Sequence, residues 1–266
     1  MSGIGYTRYV ALGDSQTEGL WDGDDSAGVA GFADRLAHRL GELWPGIGYA
    51  NLAVRGRRIR DVLDDQLPAA LAMRPDLITS CIGMNDVTRP GRTFDRALED
   101  LDVLHAELAA TGAAVVITTF PDIARILPAG RLLSARVRRI NEVIRAAATR
   151  HGLFLVDLYS APSMIDPDTW SPDRVHGSPQ GHQLFADAAA EALRLPGSDH
   201  SWATARPDVV VPGLRSRLYS QALWGQNMLM PWIWRHLRGR SAANGRGPKR
   251  PVLRPVNAVR VLSEAE

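Results

Sequence analysis

The sequence predicts an α/β protein in which helices cover both faces of a five-stranded parallel sheet, followed by a C-terminal extension. The chain has 266 residues, 45% of them hydrophobic and 23% charged, as is typical of a globular protein that buries its own core. Up to residue 194, short apolar runs alternate with longer segments whose apolar residues recur at helical spacing. This alternation is typical of three-layer α/β/α folds with a parallel sheet.

Five short apolar runs are predicted to form the strands. Glycine or polar residues flank them, and their length suits a strand better than a helix. The runs are residues 9–12, 49–53, 77–82, 114–120 and 153–158. Binding residues in parallel sheets collect at the carboxyl ends of the strands, so functional side chains are expected directly after these runs.

Five segments with helical spacing are predicted between and after the strands. They are residues 31–44, 59–71, 93–110, 131–150 and 179–193. Pro68 is expected to interrupt the second helix, because proline lacks the N–H that the helix interior needs. Pro179 suits the first turn of the last helix, where that N–H has no partner.

The alternation of strands and helices ends at residue 194. Residues 1–194 are therefore predicted to be one domain, and the remaining residues an extension. Residues 195–240 are rich in proline and tryptophan and are expected to pack on the domain or on a partner. Residues 241–266 are basic, contain several glycines and prolines, and are predicted to be disordered. Residues 1–194 hold 20 Lys/Arg and 25 Asp/Glu, whereas residues 195–266 hold 11 and 4.

Large apolar side chains and arginines mix within residues 214–240 of the extension. The alternative to packing is weak contact with a membrane surface, since tryptophan beside arginine suits the headgroup layer. The basic residues that follow offer nucleic acid only nonspecific attraction, so no specific nucleic-acid partner is predicted. The sequence leaves the oligomeric state open.

Several classes of protein are excluded by what the sequence lacks. A single cysteine, Cys81, excludes an intramolecular disulfide framework and a cysteine-rich metal site. No metal-binding or nucleotide-binding motif is present, so neither a metal nor a cofactor is expected. The first residues do not resemble a secretory signal, and no apolar run is long enough to span a membrane, so a cytoplasmic location is predicted.

Chemically reactive residue types follow the predicted strands in order. Ser15 lies in the block GDSQTEG after the first strand, Gly56 follows the second and Asn85 follows the third. Asp173 and His176 lie in the block DRVH, between the fifth strand and the last helix. Each feature alone has a simpler explanation as a turn, a helix cap or a surface histidine.

Together these residues supply what acyl transfer needs. Ser15 is predicted to be the nucleophile, His176 its base, and Asp173 the group that orients His176. The backbone N–H groups of Ser15 and Gly56, with the side-chain amide of Asn85, are the predicted donors of an oxyanion hole.

The blocks GDSQTEG, NLAVRG, GMND and DRVH resemble those of the SGNH hydrolases, also called the GDSL esterase/lipase family. The resemblance covers roughly residues 8–194. It implies a flavodoxin-like three-layer fold and hydrolysis of a small-molecule carboxylic ester or thioester without metal or cofactor. It assigns the same roles to Ser15, Gly56, Asn85, Asp173 and His176. One departure is Gln16, where many members have leucine after the serine.

Neighbouring polar residues are expected to be structural. Asp14 is predicted to hold the turn before Ser15, Asp86 to support the loop of Asn85, and Cys81 to be a buried apolar side chain. His182, six residues after His176, is predicted to be structural or on the surface. Specificity is expected in the loops at residues 20–31, 86–93 and 121–131.

Two other functions fit the same motifs. An acyltransferase would use the same site and pass the acyl group to a sugar or lipid hydroxyl instead of water. A non-catalytic binding module with a flavodoxin-like fold would retain these residues without activating Ser15.

Overall fold

The computed structural model describes residues 5–26, 28–89, 91–126, 128–206 and 245–256. Strands β1 to β8 are Arg8–Gly13, Gly23–Asp24, Gly28–Val29, Gly48–Asn51, Leu77–Cys81, Ala114–Thr118, Phe154–Val156 and Arg250–Pro255. Helices α1 to α9 are Ser15–Glu18, Phe32–Leu43, Ile59–Asp61, Leu67–Ala72, Met84–Val87, Arg92–Ala110, Ile123–Ile126, Ser134–His151 and Pro179–Ala192. Within these residues no helix is long and apolar enough to cross a membrane.

The central sheet has six strands in the order β7-β6-β5-β1-β4-β8, and helices lie on both of its faces. The first five strands in this order are parallel, which confirms the predicted three-layer α/β/α fold. The parallel strands follow the order 2-1-3-4-5 typical of flavodoxin-like sheets. Strands β2 and β3 form a separate two-stranded antiparallel sheet.

The sixth strand, β8, corrects two predictions from the sequence. The sheet has six strands rather than five, and residues 250–255 of the tail predicted to be disordered pair antiparallel with β4. This strand contains two prolines and two arginines, so strand propensity alone does not predict it. Proline is tolerated there because β8 lies at the edge of the sheet, where one side of the strand needs no hydrogen-bond partner.

The remainder of the extension is described only in part. Residues 200–203 form a short 3₁₀ helix that packs against α9 and buries Trp202. Residues 207–244 and 257–266 lie outside the described residues, as does the membrane contact expected from residues 214–240.

The parallel strands are buried on both faces, which explains why they read as apolar runs without alternation. Helix α2 packs against α9, and α6 packs against α8. Leu36 and Leu40 of α2 and Leu101 and Leu104 of α6 are almost fully buried. Their spacing of three to four residues places the apolar stripe of each helix against the sheet.

The helical segment predicted at residues 59–71 contains a π turn, Val62–Gln66, between α3 and α4. The irregularity lies just before Pro68, which occupies the first turn of α4. The buried amide of Gln66 accepts a hydrogen bond from the backbone N–H of Gly13 and donates one to its carbonyl. The π turn is thus bonded to the end of β1, at the carboxyl edge of the sheet. Since π turns concentrate at functional sites, this location indicates that the functional site lies at that edge.

Candidate active site

The hydroxyl of Ser15, the ring of His176 and the carboxylate of Asp173 form a hydrogen-bonded chain. Ser15 Oγ lies 2.7 Å from His176 Nε2, and His176 Nδ1 lies 2.6 Å from Asp173 Oδ2. The three residues that the sequence predicted as nucleophile, base and orienting acid are therefore in contact. A neutral histidine held in this way accepts the serine proton at Nε2 while its Nδ1–H faces the carboxylate.

The end of β1 places Ser15 at this site. Gly13 has a φ of 149°, and a Cβ there would lie 2.4 Å from the carbonyl oxygen of Cys81, so only glycine fits the turn. Asp14 then caps α1, because its Oδ1 accepts the backbone N–H of Gln16 at 3.2 Å. Ser15 begins the helix and is 8% exposed.

The carboxylate of Asp173 is held by five donors. Its Oδ1 accepts the Ser171 hydroxyl and the backbone N–H groups of Val175 and His176, at 2.7 to 2.9 Å. Its Oδ2 accepts His176 Nδ1 and the indole N–H of Trp21 at 2.7 Å. Burial alone would raise the pKa of Asp173, but the hydrogen bonds and charge of His176 hold that pKa well below its usual range.

The predicted oxyanion donors come from three segments that are bonded to one another. The Asn85 amide donates to Asp14 Oδ2 at 3.1 Å and to the carbonyl of Arg57 at 2.9 Å. Gly56 has a φ of 82°, and neither its backbone N–H nor that of Ser15 has an acceptor among the described residues. The Asn85 amide is thus bonded to the residue before Ser15 and to the residue after Gly56.

A buried ion pair fixes the loop of Gly56 to α1. Glu18 accepts the backbone N–H of Arg55 at 2.6 Å and its guanidinium at 2.7 and 2.9 Å. Both side chains are about nine-tenths buried, so this pair ties the loop to the helix that carries Ser15. Asp25 adds a second contact to Arg55 at 3.0 Å.

The residues expected to be structural have structural contacts. Asp86 is buried and accepts the backbone N–H of Ile59 at 3.1 Å. Burial raises the pKa of the Cys81 thiol to about 12, which leaves it protonated and apolar in character. Burial raises the pKa of the Asp14 carboxyl to about 7, although the Gln16 N–H and the charge of His176 lower it.

His182 is fully buried and bonded to the backbone at both ring nitrogens. Its Nδ1 accepts the N–H of Phe32 at 3.3 Å, and its Nε2 donates to the carbonyl of Leu20 at 3.1 Å. Burial lowers the pKa of His182 to about 3, so the ring is neutral and holds the segment after α1. This confirms the prediction that His182 is structural.

Sequence reasoning missed two residues at the site, Trp21 and Gln66. Trp21 lies in the loop expected to carry specificity, but no spacing rule connects it with Asp173, 152 positions away. Gln66 follows two acidic residues in a predicted helical segment, and this pattern gives no sign that its side chain is buried at the site.

Comparison with known proteins agrees with this geometry. Residues 11–184 match the model of the GDSL-like lipase/acylhydrolase family. None of the curated proteins compared with the chain matches it.

Among solved structures, the chain is similar to LAE5, an α/β hydrolase enzyme from the metagenome of Lake Arreo in Spain. The identity is 26% and the TM-score 0.57, over 71% of this chain and 95% of that chain. It is also similar to Axe2, an acetylxylan esterase from Geobacillus stearothermophilus, at 21% identity and a TM-score of 0.58, over 75% of this chain and 97% of that chain.

Three further similar structures are catalytic mutants of Axe2, in which a serine, an aspartate or a histidine is replaced by alanine. The identity of 20 to 21% makes this a likeness of fold. The family match covers most of the chain, however, and Ser15 lies against His176, which in turn contacts Asp173. The protein therefore belongs to the GDSL-like lipase/acylhydrolase family and is a serine ester hydrolase.

Proposed function

We propose that the protein hydrolyses carboxylic esters of short acyl groups through an acyl-enzyme formed on Ser15. The observation that carries this proposal is the chain of two short contacts from Ser15 Oγ through His176 to Asp173. An activated serine needs a base within hydrogen-bond reach, and that base needs a third group to orient it.

In the first half of the reaction, Ser15 Oγ attacks the ester carbonyl carbon while His176 Nε2 takes the hydroxyl proton. The carbonyl oxygen becomes an oxyanion, and Asp173 stabilises the imidazolium that has formed. When the tetrahedral intermediate collapses, the bond to the alcohol breaks and His176 gives its proton to the leaving oxygen. The acyl group is then esterified to Ser15.

In the second half, a water molecule takes the place of the alcohol. His176 removes a proton from the water as its oxygen attacks the acyl carbon. Collapse of the second intermediate breaks the bond to Ser15 Oγ, which recovers its proton from His176. The products are the carboxylic acid, the alcohol and the free enzyme.

The oxyanion is proposed to bind the N–H groups of Ser15 and Gly56 and the amide of Asn85. The two backbone donors support this role because no described residue accepts from them. The Asn85 amide already donates to Asp14 and Arg57, so an oxyanion would share or replace one of these acceptors.

Acetyl esters are the first substrates to test. The similar fold of an acetylxylan esterase supports this choice, as does Trp21, which is 40% exposed and bonded to Asp173 of the triad. Exposed aromatic rings suit the faces of sugar rings and small aryl alcohols, both of which form acetyl esters.

The test is hydrolysis of p-nitrophenyl acetate, butyrate and octanoate together with labelling by a fluorophosphonate. We expect acetate to be hydrolysed fastest and one phosphonyl group to be found on Ser15 by peptide mass spectrometry. A folded protein that neither hydrolyses these esters nor reacts with the fluorophosphonate would contradict the proposal. Labelling with no hydrolysis, and acyl transfer to added alcohols instead, would support the acyltransferase.

Replacing Asn85 by alanine is expected to lower kcat for p-nitrophenyl acetate about 10²- to 10³-fold, with little change in KM. This is the usual cost of removing one oxyanion donor that acts mainly in the transition state. Thr88→Ala is the matched control, because the Thr88 hydroxyl bonds the backbone carbonyl of Asn85 and leaves its amide in place. An Asn85→Ala enzyme with the kcat of the wild type would remove Asn85 from the oxyanion site.

A further inference from the structure

Trp21 contacts the triad at the carboxylate of Asp173. Its indole Nε1–H donates to Asp173 Oδ2 at 2.7 Å, the same oxygen that lies 2.6 Å from His176 Nδ1. Trp21 as a whole is 40% exposed, although its indole N–H is bonded to Asp173. No family motif contains this residue, since Trp21 follows the block GDSQTEG by two positions.

The backbone of Trp21 is strained in a way that serves this contact. Its φ is 73°, in the left-handed region that a bulky side chain rarely adopts. Such conformations persist only where the surrounding structure holds them, and they concentrate at functional sites. On the other side of the contact, Arg174 beside Asp173 has a φ of 58°.

Hydrogen bonds hold the strained turn on both sides of Trp21. The neutral ring of His182 donates to the carbonyl of Leu20, and Arg35 binds the carboxylate of Asp22 at 2.8 and 2.9 Å. The Leu20 N–H in turn donates to the carbonyl of Ser15 at 3.0 Å. The turn that carries Trp21 is thus built onto the helix of the predicted nucleophile.

We propose that Trp21 is a positioning residue for catalysis: its indole N–H locks the Asp173 carboxylate in the orientation that His176 needs. This inference rests on the proposed function, because it assigns a role within the same site. The carboxylate has two oxygens, and the Oδ1 oxygen is fixed by three donors of its own loop. Among the described residues Trp21 is the donor from outside that loop, and it ties Oδ2 to the segment carrying Ser15.

The hydrogen bond from the Trp21 indole also sets how strongly the Asp173 carboxylate stabilises the protonated form of His176. A hydrogen bond to a carboxylate draws off part of its negative charge, and a carboxylate with less charge stabilises an adjacent imidazolium less. The other titratable groups coupled to the charge of His176 are Asp14, before α1, and His182 on α9. Both remain in place when Trp21 alone is changed, so their effect cancels in a comparison of variant and wild type.

The experiment compares Trp21→Phe with wild type, and Trp44→Phe serves as the matched control. Phenylalanine keeps an aromatic ring but removes the N–H, and Trp44 packs edge-to-face on Tyr6 at 5.3 Å, outside the site. We expect Trp21→Phe to shift the acid limb of the kcat/KM profile about half a pH unit upward. We expect the plateau kcat and the rate of fluorophosphonate labelling to fall about tenfold, because His176 is less well oriented.

A purely structural role for Trp21 would lower thermal stability and leave the acid limb in place, and this result would overturn the proposal. A change in KM with an unchanged acid limb and labelling rate would also overturn it, by making Trp21 a substrate contact only. Wild-type protein that resists labelling would refute the proposed function and this inference together. Normal labelling of both wild type and Trp21→Phe would refute the inference alone.

A second variant keeps the test decisive if Trp21→Phe does not fold. Incorporation of 3-benzothienylalanine at position 21 replaces the indole N–H by sulfur and preserves the two-ring shape. The same shift of the acid limb is expected, because only the donor has been removed. An unchanged profile in this isosteric variant would show that the N–H has no part in catalysis.

Discussion

Replacing Ser15 by alanine is expected to lower kcat/KM for p-nitrophenyl acetate by about 10⁴-fold or more. The substitution removes the oxygen that lies 2.7 Å from His176 Nε2, and no acyl-enzyme can form without it. The residual rate would come from the oxyanion donors acting on a direct attack by water. Fluorophosphonate labelling should disappear completely.

The fold should tolerate this change, so the loss is readily assigned. Ser15 is the first residue of α1, and the cap of that helix is the Asp14 side chain, which remains. Ser201→Ala is the matched control, since Ser201 is an exposed serine on the short helix at residues 200–203. A Ser15→Ala enzyme that keeps more than about a tenth of the wild-type rate would show that another group is the nucleophile.

The sequence predicted the fold well where the signals are local. All five parallel strands and the five long helical segments lie where apolar runs and helical spacing indicate them. The motifs predicted that Ser15, after the first strand, would meet Asp173 and His176, which lie between the fifth strand and the last helix. Parallel topology is the physical reason, because it brings the carboxyl ends of all these strands to one edge.

What the sequence did not predict depends on contacts between distant segments. Strand β8 becomes a strand because β4 offers it an open edge, and its own residues have weak strand propensity. Trp21 reaches Asp173 through a left-handed turn; the Asp and Gly residues that follow it predict a loop, but they do not predict a positive φ at a tryptophan. The partners of the Asn85 amide, Asp14 and Arg57, likewise come from two segments that are distant from it in the sequence.

The Glu18–Arg55 pair is another contact between distant segments that the sequence did not predict, and it concerns the charges near the site. The arginines that follow the second strand allow two interpretations, attraction of an anionic substrate or a solvated helix face, and the sequence favours the second. In the structure Arg55, Arg57, Arg58 and Arg60 each lie within 4.0 Å of a carboxylate of the chain. Their charge is therefore used within the protein, and Arg55 in particular fixes the loop of Gly56.

Replacing Asp173 by asparagine is expected to lower kcat about 10³- to 10⁴-fold while KM changes little. The asparagine amide would meet donors in either orientation. With its nitrogen at the Oδ2 position it faces His176 Nδ1 and the Trp21 indole N–H. With its nitrogen at the Oδ1 position it faces the Ser171 hydroxyl and two backbone N–H groups.

In the first orientation the amide and His176 Nδ1–H are two donors that face each other, and a change of tautomer at His176 removes this conflict. The His176 proton moves to Nε2, and Nδ1 then accepts a hydrogen bond from the amide. His176 then presents a proton to Ser15 instead of a lone pair, so the base is lost; this is the known cost of an amide at the orienting position of a triad. Asp168→Asn is the matched control, because Asp168 lies in the same loop region and pairs only with the exposed Arg206 among the described side chains. A kcat of Asp173→Asn within about tenfold of wild type would mean that Asp173 does not set the tautomer of His176, and the proposed triad would then reduce to a serine–histidine pair.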